Sequence, residues 1–256
     1  MTGNPIGLRT LAKREVLRFF VVWSQTLVPP LVSAALFIFV FGYSIGRTFQ
    51  VGVGGVSYLS FMVPGMVMMV LIESSYTNAS SSLFIARWHN HIQEVLLSPL
   101  SYFEMVLGLM TGSVVRGMLV GTGVWAVSLA FERSPVEHPL IVAYFFVTVP
   151  VIFSCLGLIV GLWAEGFEKL SVWNTFVLMP LIYFGGVFHS VDMVPGPLRF
   201  LTHLNPLFYL INGLRYGMIG ISDTDVRVSM GLALAMAAGL FLVVVRLFRA
   251  GYKLRS

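Results

Sequence analysis

Glu73 and Arg116 are the residues with the most to explain in this 256-residue chain, because each lies inside a long apolar run. A lone charge at membrane depth needs a partner or water. The two can face each other as a buried pair that holds two spans together, or Glu73 can be the proton or cation site of an ion-coupled carrier. His89 and His91 with Glu94 offer ligand-type atoms, but neighbouring imidazoles on a polar helix face are ordinarily solvated, so no metal is assigned. The three lysines, Lys13, Lys169 and Lys253, are neither preceded by Gly nor followed by Ser or Thr, which excludes a P-loop. Gly-x-Ser-x-Gly and His-Glu-x-x-His are absent too. Neither a catalytic residue nor a bound cofactor is expected in this chain.

The elements that position these groups follow from composition. Hydrophobic residues make up 57% of the chain and charged residues 11%, and the mean hydropathy is +0.87, whereas a soluble domain is about a quarter charged. Apolar runs near residues 21–41, 57–80, 102–131, 139–164, 172–188 and 228–248 approach or exceed the roughly 20 residues that cross a bilayer. They are continuous rather than alternating, which favours helices over a barrel. The expectation is an all-α membrane protein in which residues 1–256 form a single transmembrane domain of six helices. The fifth run contains Pro180 and ends in Gly185-Gly186, so it is as readily a broken or tilted helix as a straight one.

Charge sets the orientation. Arg9, Lys13, Arg14 and Arg18 precede the first span, and Arg246, Arg249, Lys253 and Arg255 close or follow the last. Basic residues beside spans stay in the cytoplasm, and six crossings return the chain to its starting side, so both termini are expected there. The net charge of +5 reads as topology and contact with anionic lipid, with no role for nucleic acid. The first long apolar run begins only at Val21 without a small-residue cleavage pattern, so it is read as an anchor. Cys155 lies inside the fourth span and is read as a packing residue.

Residues 84–101 form a polar island between the second and third spans, on the cytoplasmic side. At helical spacing Phe84, Ile85, Trp88, Ile92, Val95 and Leu96 share one face, Arg87, His89, Asn90, His91, Gln93 and Glu94 take the rest, and Leu97 departs from the pattern. Such a helix lies on lipid headgroups or docks on protein; periodicity does not separate the two. Ser98-Pro99 ends it. On the opposite side, residues 190–225 are too apolar for a solvated connector yet too interrupted for a span, which fits short helices dipping into the outer leaflet. Tyr183, Phe184 and Phe188 at the end of the fifth run, with Phe208 and Tyr209 of this region, can line a route for sugar rings or acyl chains, or form an aromatic belt.

The runs QTLVPP at 25–30, FMVPGMVMM at 61–69, EVLLSP at 94–99 and LNPLFYLINGLRYG at 204–217 together resemble those of type-2 ABC exporter permeases, and among them the bacterial YadH/NodJ group. The resemblance covers nearly the whole chain in order. It implies an N-terminal interfacial helix over residues 4–20, six transmembrane helices, a cytoplasmic coupling helix over 84–101, and short re-entrant helices before the last span. Asn4-Pro5 suits the cap and first turn of that interfacial helix, and Leu8, Leu11, Ala12, Val16 and Phe19 recur at its spacing. The resemblance further implies that Arg87, Trp88, His91, Glu94 and Leu97 couple to a separate ATPase subunit, which binds ATP and Mg, with Glu94 the leading polar contact. Many relatives have Gly-Thr where this chain has Ile92-Gln93.

On this resemblance the chain is expected to be a permease subunit in the bacterial inner membrane, forming half of a path with a second copy or a similar chain. It would move a lipid, glycan, lipo-oligosaccharide or drug outward. Gly42/Gly46, Gly108/Gly112, Gly117/Gly121, Gly157/Gly161 and Gly213/Gly217 are spaced for close helix approach, mostly within one subunit.

Overall fold

The computed structural model describes residues 3–44, 55–132, 136–193 and 195–254, and every regular element among them is helical. Five helices are long and apolar enough to cross a membrane: Trp23–Phe41, Tyr58–Trp88, Tyr102–Ser128, Pro139–Trp163 and Val226–Ala250. In chain order α1 is Pro5–Val21, α2 Trp23–Thr26, α3 Val28–Ser44, α4 Tyr58–Trp88, α5 Ile92–Leu97, α6 Tyr102–Ser128 and α7 Pro139–Trp163. There follow α8 Phe167–Trp173, α9 Met179–Phe184, α10 Gly196–Leu204, α11 Pro206–Ile219 and α12 Val226–Ala250.

The run expected to be a fifth span departs from a regular helix. Between α8 and α9 the chain winds as a π-helix over Asn174–Leu178, with the Met179 amide donating to the Asn174 carbonyl. Pro180 supplies the reason: it has no amide hydrogen and its ring crowds the preceding turn, and the wider π turn absorbs that defect without breaking the rod. The rod stops at Gly185-Gly186, where Gly186 adopts φ 86°. The chain then folds back so that Val187 presses on α4 at Gly65, where a Cβ would come 2.5 Å from the Val187 carbonyl oxygen.

α4 and α7 form the centre. In their most apolar windows 72% and 78% of residues are buried, against 11% in the first span and 17% in the last. The glycine pairs explain how closely the helices meet. Gly157 and Gly161 receive Tyr76, Ala79 and Ser80 of α4; Gly117 and Gly121 receive Ser75 and Leu71; Gly213 and Gly217 receive Phe145 and Val142 of α7. Gly108 and Gly112 form the seat for Leu11 and Glu15 of α1. These four pairs are therefore occupied within one subunit; the Gly42/Gly46 pair reaches outside the described residues.

The described part of residues 190–225 holds a 3-10 turn at Val191–Met193 and two helices, α10 and α11, that meet at Asn205. Its side chain accepts from the Leu207 amide at 3.0 Å and donates to the Leu181 carbonyl at 2.6 Å, capping α11 and tying it to α9. α11 is mostly buried, whereas Phe200, Leu201 and Leu204 of α10 are exposed.

Candidate functional site

Residues 84–101 are not the single helix that periodicity suggests. α4 continues to Trp88, the chain reverses through Asn90 at φ 61°, and α5 begins at Ile92. Asn tolerates the left-handed region better than most residues with a Cβ, so a break at this position is chemically inexpensive. Ser98 is extended, as expected before Pro99. Ser101 and Glu104 then open α6 with a capping box.

The break divides the expected apolar face. Phe84, Ile92 and Val95 are buried, Leu96 is partly buried, and Ile85 and Trp88 are exposed. Ile92 and Val95 enter a cluster with Leu11, Leu83, Val106, Leu109 and Phe248, so α5 rests on the chain's own core. The corner where α4 gives way to α5 presents outward Trp88, His91, Glu94 and Leu97, the last 87% exposed. His91 Nδ1 and Glu94 Oε1 are 3.7 Å apart, and the His89 and His91 rings are 6.0 Å apart.

Arg87, expected to couple outward, is turned inward. Its Nη1 donates to the carbonyls of Gly161 at 2.8 Å, Leu162 at 2.7 Å and Ala164 at 3.2 Å, and its Nε donates to the Lys253 carbonyl at 2.8 Å. The last carbonyls of a helix have no partner inside it and favour positive charge, so Arg87 caps α7 while fastening the C-terminal tail. Lys253 repeats the arrangement from the other side, donating to the Trp163 carbonyl at 3.0 Å and Glu165 at 2.9 Å. Hydrogen bonds from Lys169 and Lys253 hold the Glu165 carboxyl far below the usual carboxylate range, at about 2. Replacing Arg87 with Ala should release the tail, with amide exchange at 251–254 about tenfold faster or more. Hydrogen–deuterium exchange checks it; unchanged exchange would refute the fastening role.

α1 joins the same corner. Asn4 accepts from the Gly7 amide at 3.0 Å, with Pro5 in the first turn, and its own amide donates to Glu104 at 2.6 Å. Glu15, only 2% exposed on the packed face, accepts from Ser82 at 2.8 Å and pairs with Arg14 at 3.1 Å and Arg18 at 3.4 Å. Sequence reasoning misses Glu15. A carboxylate at helical register with Leu11 and Phe19 and flanked by two arginines is the signal that marks it.

Within the bundle, Glu73 and Arg116 do not meet. Arg116 Nη1 donates to Asn78 at 3.4 Å, and Glu73 instead lines a pocket between α3 and α4. The helices α4 and α6 adjoin, but their registers place Asn78 opposite Arg116. The aromatic residues separate as well. Tyr183 stacks on Phe188 at 6.1 Å and Phe188 on Phe37 at 6.3 Å, while Tyr183 and Phe184 are exposed. Phe208 is wholly buried, and Tyr209 donates to the His203 carbonyl at 3.1 Å, so neither belongs with that stack.

Arg215 is the largest fully buried side chain among the described residues. Its Nη2 donates to the Gly186 carbonyl at 2.6 Å, its Nη1 to Asn212 at 3.4 Å, and its guanidinium lies 3.9 Å from the Phe61 ring centre. In the sequence it is visible only as an interruption of an apolar run.

The chain matches the family model described as ABC-2 type transporter over residues 7–219. It is 38% identical to the inner membrane transport permease YadH of Escherichia coli K12 over 252 residues, 98% of each chain. It is 25% identical to nodulation protein J of Neorhizobium galegae over 236 residues, covering 91% of this chain and 90% of the relative.

Proposed function

This chain belongs to the ABC-2 type transporter family and is a membrane permease of an ABC transporter, and from that premise we propose that the corner where α4 meets α5 docks a separate ATPase. The observation that carries the reading is the pairing of a firmly held base with an exposed tip. Ile92 and Val95 anchor α5 in the core, Arg87 straps α4 to α7, and Trp88, His91, Glu94 and Leu97 project from that base. Closure of the motor on ATP moves this corner, and α4 and α6, which leave it directly, carry the motion into the membrane.

The chain is a multi-pass protein of the inner membrane, as the name of its E. coli relative indicates. Asn4 meets this corner through Pro99 and Lys253 through Arg87, so a cytoplasmic docking face puts both of these residues on that side. A second copy, or a similar chain, completes the path along the exposed first span, and the substrate moves outward. The ion-coupled alternative has the family assignment against it.

Co-expression of the tagged chain with candidate ABC ATPase subunits from the same genome tests the reading. The two should co-purify, and candidate lipids, glycans, lipo-oligosaccharides or drugs should stimulate hydrolysis by the reconstituted complex. Failure to co-purify in every nucleotide state would overturn it.

A further inference from the structure

Between α3 and α4 lies a pocket of about 380 Å³ that no part of the coupling corner uses. Met66 and Met69 of α4, Pro30 and Phe37 of α3, and Phe188 supply an apolar wall, and Glu73 is its single ionisable lining residue. The volume falls within the range of small-molecule sites. Glu73 stands fifteen residues before the end of α4, about 22 Å along the helix axis, and so deep in the hydrocarbon. Among the described residues it has neither a hydrogen-bond nor an ion-pair partner, since Arg116 is engaged with Asn78.

A carboxylate held at that depth and open to an apolar cavity is complemented by a ligand that brings its own positive charge and an apolar body. An anionic amphiphile is repelled, and a neutral one leaves the carboxylate unmatched. Phe37 and Phe188, stacked on one another at 6.3 Å, give the wall an aromatic surface against which an alkyl or aryl body packs. We propose that this pocket binds a monovalent lipophilic cation, a quaternary ammonium or phosphonium compound with an alkyl or aryl body, with Glu73 as its counter-ion. That such a cation is also transported rests on the permease reading above; that it binds does not.

Binding of radiolabelled tetraphenylphosphonium to the purified chain in nanodiscs, with no ATPase present, isolates the claim. Saturable binding is expected, displaced by a quaternary ammonium and indifferent to tetraphenylborate. Glu73→Gln should weaken it about tenfold. Ser33→Phe, which adds bulk to a lining position without removing the charge, should weaken it as much, and this variant carries the test if Glu73→Gln fails to elute as a folded species. Binding of tetraphenylborate as tight as that of the cation would overturn the proposal. So would wild-type affinity in the folded Glu73→Gln protein or in Ser33→Phe. Loss of ATPase stimulation with cation binding intact would count against the permease mechanism and leave the site standing.

Discussion

Arg215→Leu is expected to leave the protein largely unassembled, with a loss on the order of 3–5 kcal/mol. The leucine fills much of the volume, so the loss comes from the contacts. The guanidinium reaches the Gly186 carbonyl at the fold-back after α9, Asn212 on its own helix, and the Phe61 carbonyl and ring on α4. Asn212 in turn accepts from the Asp223 amide at 3.1 Å, and Asp223 accepts from Ser190 and the Val191 amide. Three segments distant in sequence are thus held by one side chain with no exposure to solvent. Removing it leaves the buried Gly186 carbonyl without this donor and sets the fold-back free of α11. Arg215→Lys keeps the charge but not the planar fork, so its loss should be intermediate. Thermal unfolding in detergent, followed by size exclusion, gives the measurement. A melting temperature for Arg215→Leu indistinguishable from wild type would show that the network does not hold these segments.

Leu97→Glu should do the opposite, preserving the fold and abolishing coupled transport. Leu97 is the most exposed large apolar side chain among the described residues, at 87%, so its replacement removes almost no packing from the permease itself. On the docking reading an apolar tip on a held corner anchors the ATPase, and a charge there must be desolvated when the partner closes over it. Transport and permease-stimulated hydrolysis should fall by about tenfold or more, with the melting temperature unchanged. Val95→Glu is the matched control: Val95 is 5% exposed in the core beneath α5, so that variant should fail in folding instead. Full coupling by a well-folded Leu97→Glu protein would remove the corner from the docking surface.

The residues behind these predictions differ widely in how legible they are in the sequence. The long spans are legible because hydrophobicity over twenty residues is a sum that local detail does not disturb. The Asn4-Pro5 start of α1 and the stop at Ser98-Pro99 are legible because their chemistry is local. The break at Asn90 is not, since the apolar residues on either side keep helical spacing through it and only a backbone angle distinguishes the two shapes. Pairing of Glu73 with Arg116 fails for a different reason. Two charges on neighbouring helices meet only if the helices slide and rotate into register, and glycines such as Gly117 and Gly121 fix that register through packing. Leu97 stands out as an exception to a pattern. The exception matters because it is the residue the permease's own core does not claim. Arg87 belongs to the expected region but points the other way, because a sequence does not say whether a basic side chain at a helix end faces a partner or another helix's carbonyls.

The bond between Arg87 and Lys253 also bears on how the molecule is made. The two residues lie 166 positions apart, which at about 5–20 residues per second is a wait on the order of ten to thirty seconds during synthesis. α7 ends at Trp163, 90 positions before Lys253, so for roughly the latter half of that interval its last carbonyls lack part of their clasp. A chain that stops short of Lys253 therefore leaves the end of α7 with Arg87 as its clasp and without the second donor that Lys253 brings to the Trp163 carbonyl.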